Sequence, residues 1–364
     1  MFRKVAHAVA THPKTVLIVS LLAFAISGVI GSTVIGRMTA GGYSDQNSDS
    51  WKVYESLEKD FKVNDPYLTI AIGKESQPNS VDDPAVAASI DGILAEISGV
   101  RGVEKVSSYW SLGKAPQLRS KDGSLALAMV YVEHDSIDKR NSISKQIITM
   151  LPAKQGDISI YVGGGGAVLT AINQQITDDI KFAEMISIPL TIIMLLIVFG
   201  AAVAAGMPMV VAFCAIGGAL LSVLAISQFT DVSIFALNLI TGLGMGLGID
   251  YALLIVNRFR EELKRGADVE TAVKTTVRTA GHTVMISGFT VALTLAALIV
   301  FPQTFLKSFA YGGVTVCLMA VAGAVIALPA ALRLLGHRVD KLKIRRGELA
   351  PKDEGAWANV ARFV

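Results

Sequence analysis

The sequence predicts an α-helical membrane bundle of six transmembrane helices, with an α+β domain inserted after the first. Three observations carry this. The 364 residues are 52% hydrophobic, with a mean hydropathy of +0.52, too apolar for a soluble domain of this length. Six stretches are apolar and long enough to cross a hydrocarbon core about 30 Å thick. Between the first two, residues 37–181 are polar, mixed in charge and free of any spanning run.

In chain order, residues 1–14 form a basic lead-in with Arg3, Lys4, His7, His12 and Lys14, and residues 15–36 are apolar and uncharged. A cleaved signal peptide competes with a first span here. The apolar run is long for a signal, and no A-x-A site follows before Arg37. Within 37–181, Trp51–Phe61 reads as an amphipathic helix that joins the span to the domain. Pro66–Ile72, Gly102–Val106, Ser124–Val132 and Asp157–Val162 read as strands, and Pro84–Ile97 and Ile137–Met150 as helices. This β-α-β-β-α-β order is that of a split βαβ, ferredoxin-like unit. The glycine run Gly163–Gly166 fails the G-x-G-x-x-G/A dinucleotide pattern, since Val168 and Leu169 occupy the third position. It reads as a hinge between domain and membrane or as a plain helix-start turn. Five further spans follow at 185–205, 207–229, 233–259, 282–301 and 305–335, the first two joined by a tight Gly206-Met207-Pro208 turn. Residues 336–364 form a basic tail.

Charge asymmetry orients the chain. Arg258, Arg260, Lys264, Arg265, Lys274 and Arg278 share one loop, and the tail adds Arg333, Arg338, Lys341, Lys343, Arg345 and Arg346. The opposite turns, 230–232 and 303–304, hold no Lys or Arg. Both chain ends are therefore expected in the cytoplasm, with residues 37–181 outside the plasma membrane. The net charge of +3 reflects these topology signals and not a nucleic-acid surface.

Several chemistries find no support. Cys214 and Cys317 each lie in an apolar run, and His7, His12, His134, His282 and His337 are scattered without metal spacing. There is no GxxxxGK[ST] phosphate loop. No enzyme, metal or cofactor is expected.

The residues that demand explanation lie in Thr241–Phe259, TGLGMGLGIDYALLIVNRF. Asp250 falls near the middle of a span, about 12 Å from its cytoplasmic end at 1.5 Å per residue. An ionisable group there costs roughly 2.5–3.5 kcal/mol and usually marks a proton or ion path facing a bundle interior or wet cavity. Tyr251 points about 100° away from it. Gly242/Gly246 and Gly244/Gly248 are two GxxxG pairs, which strip two helix faces for close approach of neighbours.

Two other stretches carry double readings. Arg258–Gly281 reads as a helix anchored on acidic headgroups or as a solvated hairpin. In the fifth span, Thr283, Ser287, Thr290 and Thr294 share one helix face. They either bond back to their own carbonyls or form a polar stripe that serves Asp250.

With these residues in place, the chain resembles the N-terminal half of the RND superfamily, and within it the mycobacterial membrane protein large (MMPL) family of actinobacteria. GLGMGLGIDYALLIVNRFREEL, DDIKFAEMISIPLTIIMLLIVFG and TVRTAGHTVMISGFTVALTLAAL carry the resemblance, which covers essentially the whole chain. It implies an extracytoplasmic porter domain and proton-driven export of lipids or other hydrophobic molecules, powered by the proton gradient without a cofactor. Asp250 and Tyr251 would form one of the family's two Asp-Tyr pairs. The second pair would come from a homo-oligomer or a separately encoded C-terminal half. An accessory or receptor-like membrane protein, or an inactive truncated remnant, are the other readings of the same resemblance.

Overall fold

A computed structural model describes residues 2–39, 42, 45, 48–61, 65–133 and 137–342. His134 and the tail positions Lys343, Arg345 and Arg346 lie outside them. Among the described residues, six helical segments are long and apolar enough to cross a membrane. A five-stranded sheet with its helices is inserted after the first of these segments.

Helix α1 (Phe2–Thr11) ends at His12, whose backbone leaves the helical region, and α2 (Pro13–Gly31) restarts with proline in its first turn. Proline fits there because its missing N–H would be unpaired anyway. A 3-10 stretch extends α2 to Arg37. Helix α3 (Asp49–Lys59) is N-capped by the Ser48 side chain.

The inserted domain follows as β1 (Leu68–Gly73), α4 (Pro84–Ser98), β2 (Val103–Ser108), β3 (Leu125–Val132), α5 (Ile137–Met150), β4 (Lys154–Gln155) and β5 (Ile158–Gly163). The strands lie in the order β2-β3-β1-β5-β4, every pair antiparallel. Alternation places Leu68, Ile70, Ile72, Ala128, Val130 and Ile160 on one buried face, in a core shared with Ile90, Ile97 and Ile147 of the two helices. Strand β4 is not foreseen in the sequence. At two residues it is too short to show a pattern, and left-handed Gly156 (φ 62°) turns it onto β5. Beside the sheet, Asp82 accepts hydrogen bonds from Tyr109 (2.8 Å), Arg119 (3.2 Å) and Lys114 (3.3 Å), tying the turn before α4 to the β2–β3 connection.

The glycine run forms a helix-start turn pressed against β1. Gly164 adopts φ 94°, the Gly166 N–H bonds the Tyr67 carbonyl, and α6 (Gly165–Phe199) leaves from there. At about 1.5 Å per residue, this 35-residue helix can rise from the domain and cross the membrane without a break.

The expected Gly206-Met207-Pro208 turn is not observed. The chain reverses at Gly200, which takes the left-handed conformation (φ 64°) and closes α6 with a bond to the Leu196 carbonyl. Met207 and Pro208 lie inside α7 (Ala202–Ile226), as membrane helices tolerate proline when neighbouring helices support the freed backbone groups. Next come α8 (Phe235–Lys264), α9 (Val269–Arg278), α10 (Ala280–Ala296), α11 (Thr304–Ala322) and α12 (Leu328–Leu335). A π turn, Gly323–Ala327, joins the last two just before Pro329, where an unbroken α-helix would lose a bond and clash. Helix α7 is central and packs against α2, α8 and α11.

The basic loop consists of the end of α8, a short turn and the amphipathic helix α9. Arg258–Lys264 continues α8, and the apolar face of α9 (Ala272, Val273, Val277) is buried against the bundle's own α1, α8 and α12. Glu270 of α9 pairs with Lys274 (2.6 Å) and Arg333 (3.4 Å), and Arg333 also donates to the Ala10 carbonyl.

Candidate functional site

Helix α8 presents two faces of opposite character. On the inner face, Gly244 and Gly248 are buried, together with Tyr251, Ala252, Ile255, Val256 and Phe259. A Cβ at Gly244 would fall 2.6 Å from Ile216, and one at Gly248 would fall 2.7 Å from the Ala212 backbone. On the outer face, Gly242, Gly246, Asp250, Leu254, Asn257 and Glu261 follow one another at spacings of three or four and are all exposed. Around Gly242 and Gly246 a Cβ would meet nothing within 4 Å. The two GxxxG pairs thus do different things. One closes the bundle, and the other leaves a bare strip beside the acid. Asp250 was expected inside a bundle or in a wet cavity, but this chain's own helices leave it uncovered.

Tyr251 points the other way. It is 2% exposed, and its hydroxyl has no hydrogen-bond partner. Ser287 of α10 stands beside it without closing a bond. Gly288 makes the space, since a Cβ there would lie 3.2 Å from the Tyr251 oxygen. The sequence reading missed Gly288, because its role depends on a side chain from another helix.

The four hydroxyl residues of α10 do share an exposed face, but they are not alike. Thr290 and Thr294 bond back to the carbonyls one turn earlier at 2.9 and 3.0 Å. Thr283 reaches its carbonyl only at 3.5 Å, the outer limit of a hydrogen bond. The stripe therefore divides into a self-satisfied half and a half, Thr283 and Ser287, whose hydroxyls are available to other groups.

Toward the basic end of α8, an open groove of about 680 Å³ is lined by Leu254, Asn257, Arg258, Glu261, Thr279, Ala280 and Thr283. Arg258 pairs with Glu262 (2.6 Å) and Glu261 (3.2 Å), while its Nε is buried without a partner. Arg260 secures the same end of the helix, bonding the Phe199 carbonyl (3.1 Å) and Asp340 (2.7 Å). Among the described residues, no three His, Cys, Asp or Glu side chains cluster as a metal site.

Comparison with known proteins agrees with this architecture. A membrane protein of Streptomyces coelicolor, SCO6666, is 32% identical over 376 aligned positions, which cover 100% of this chain and 50% of that protein. The trehalose monomycolate exporter MmpL3 of Mycolicibacterium smegmatis is 40% identical over 87% of this chain and 32% of its own length. The mycolic acid-containing lipids exporter MmpL11 of the same species is 28% identical over 84% of this chain and 32% of its own length. The chain thus spans from about a third to half of the length of these relatives. Residues 42–364 match the MMPL family. Together with the six membrane helices and the inserted domain, that match makes this chain a member of the MMPL family.

Proposed function

We propose that this chain works in a proton-driven exporter of lipids or other hydrophobic molecules in the plasma membrane, with Asp250 as its proton carrier. The open face of α8 is the observation that carries this reading. A carboxyl group exposed to hydrocarbon costs roughly 2.5–3.5 kcal/mol, and a glycine-stripped strip on the same face suits close approach by another membrane helix. The face is therefore read as the seat of a second set of helices. Inside such an assembly Asp250 exchanges protons with the gradient, and no cofactor is needed. Tyr251, on the opposite face of α8, and Ser287 beside it offer hydroxyls on the bundle side of the same helix. That two relatives are named as lipid exporters supports a lipid-like substrate.

The inserted domain is read as a ferredoxin-like porter domain. Its β-α-β-β-α-β sequence and the antiparallel order β2-β3-β1-β5 support this, with β4 as an added edge. The basic residues at the other end of the bundle support its placement outside the cell.

The test is lipid efflux from vesicles against an imposed pH gradient. Asp250→Asn keeps the shape and removes the titrating group, so efflux should fall to background at normal protein level. Full efflux by this variant would place the proton path elsewhere.

A further inference from the structure

We propose that Arg140 and Asn141 of α5, together with the start of α6, form a binding site for a phosphate group in the inserted domain. The proposal goes beyond the exporter reading and does not rest on Asp250.

The first observation is a pair of buried donors with nothing to bond. Asn141 is 9% exposed, and its Nδ2 has no hydrogen-bond partner. The neighbouring Arg140 keeps its Nε buried and equally unpartnered. Its guanidinium is held over the Tyr67 ring, 4.3 Å from the centroid. Buried donors are nearly always paired, so two adjacent ones call for an acceptor that the chain does not supply.

The second observation is where these donors stand. Asn141 and Ser144 lie one turn apart on the same face of α5. The Asn141 Oδ1 accepts from the Tyr67 hydroxyl (2.5 Å), and the Tyr67 ring lies against Gly166, where a Cβ would fall 2.6 Å from it. Ser144 is fully buried, its Oγ would lie 3.0 Å from the same Cβ, and it accepts from Thr170 of α6 (3.3 Å). The anchored Oδ1 thus sets the free Nδ2 beside the first turn of α6. That turn is the positive end of a 35-residue helix. Its N-cap is Gly164, so no capping side chain accepts from its N–H groups.

The third observation is access. Gly165 is exposed, and a Cβ there would meet nothing within 4 Å. A ligand can therefore stand against the backbone at the helix end.

The chemistry selects the ligand. A guanidinium, an amide nitrogen and a helix N-terminus are all donors, and phosphate oxygens accept from each. Roughly 20 residues of α6, counted back from Phe199, cross a core about 30 Å thick, which leaves about 20 Å of helix above it. The headgroup of a lipid seated in the bilayer lies too low to reach. The phosphate is thus a free anion or belongs to a lipid lifted out of the membrane.

The test is isothermal titration of the full chain in mild detergent, with inorganic phosphate and separately with glycerophosphoglycerol, a phosphodiester headgroup without acyl chains. Sodium chloride at equal ionic strength is the control. Asn141→Asp keeps the acceptor for Tyr67 but exchanges the free donor for negative charge, and Arg140→Gln removes the guanidinium. At least one probe should bind the parent saturably, and each variant should bind it at least ten-fold more weakly. Ser142→Ala, on the exposed face of α5, should bind like the parent. Tighter binding of the diester assigns the site to a lipid headgroup, and tighter binding of inorganic phosphate to the free anion; either supports the site. Saturable binding of neither probe, a response matched by chloride, or undiminished binding by either variant would overturn the proposal. A variant that fails to accumulate leaves the decision to the other variant and the parent titration. The proton reading is tested apart, because Asp250→Asn should bind phosphate as the parent does whether or not it exports.

Discussion

Gly248 sets α8 directly on Ala212 of α7, since a Cβ at Gly248 would lie 2.7 Å from the Ala212 Cα and 3.0 Å from its Cβ. Two residues earlier, Gly246 has nothing within 4 Å. The same substitution should therefore act differently at the two positions. Gly248→Leu overpacks a backbone contact and should cost at least ~1–3 kcal/mol. Gly246→Leu meets open space and should be neutral or gain a few tenths of a kcal/mol from helix propensity, roughly. Thermal unfolding in mild detergent separates them, and equal losses would mean that both glycine pairs are packed alike. Gly246→Leu should nonetheless impair export, because it obstructs the face read as the seat of a second helix set.

A second glycine contrast lies at the junction of domain and membrane. Gly164 has φ 94° and ψ 172°, a region essentially closed to other residues, and a Cβ there would stand 3.0 Å from both the Thr69 nitrogen and the Tyr67 oxygen. Gly164→Ala should cost about 1–3 kcal/mol and loosen the start of α6 from β1. Protease sensitivity near residue 164 should rise while that of the α7–α8 contact stays unchanged. Cleavage like that of the parent chain would show that the turn relaxes without strain.

Both contrasts bear on what was legible in the residues alone. The spans and the inserted domain were readable, because run length and periodicity are local properties. Asp250 also stood out, since an acid in an apolar run needs no neighbours to look anomalous. What could not be read was which side of α8 each glycine serves. Gly244 and Gly248 are inner because Ile216, Val316 and Ala212 lie against them, and those neighbours come from other helices. The α2–α7 crossing, where a Cβ at Gly217 would stand 3.0 Å from the Phe24 carbonyl, was hidden for the same reason. The α6–α7 turn was misplaced because Gly206 and Pro208 are stronger formal breakers than Gly200, yet the bundle supports a proline inside α7. Helix α9 looked like a surface helix because its burial depends on α1, more than two hundred residues away in the chain.

Acid should weaken the outer domain in a definite window. The Tyr109 hydrogen bond, helped by Lys114 and Arg119 against the cost of burial, holds Asp82 below its ordinary 3.8. The Ser120 hydroxyl, followed by the Ser124 N–H and hydroxyl, holds Asp122 down at about 2. Both groups are more acidic folded than unfolded. Their contribution is therefore complete above pH 3.8 and is lost as pH falls from there toward 2. The loss is modest, since exposed pairs of this kind are screened by solvent and contribute little to stability. Thermal unfolding followed by tryptophan fluorescence, which Trp110 should report, ought to fall between pH 4 and 2. Asp82→Asn should lower stability at pH 6 and flatten that fall, and an unchanged acid slope would show that Asp82 does not contribute to it.

Tyr251 gives the sharpest separation of stability from function. Its hydroxyl is buried against α10, with Gly288 leaving it room and no acceptor within bonding geometry. A buried hydroxyl without a partner costs about 1–3 kcal/mol. Tyr251→Phe keeps the ring in place and removes that burden, so a purely structural tyrosine should tolerate the change, with equal or higher thermal stability and normal export. If the hydroxyl instead meets a group brought in by a second helix set, or by water rising past Ser287, the same variant should keep its stability and lose part of its export. We expect the second outcome, with a smaller loss than for Asp250→Asn, because a donor is removed but the titrating group remains. Efflux and thermal unfolding measured on the same preparations decide the matter. Full export by Tyr251→Phe would assign the hydroxyl to neither proton transfer nor assembly.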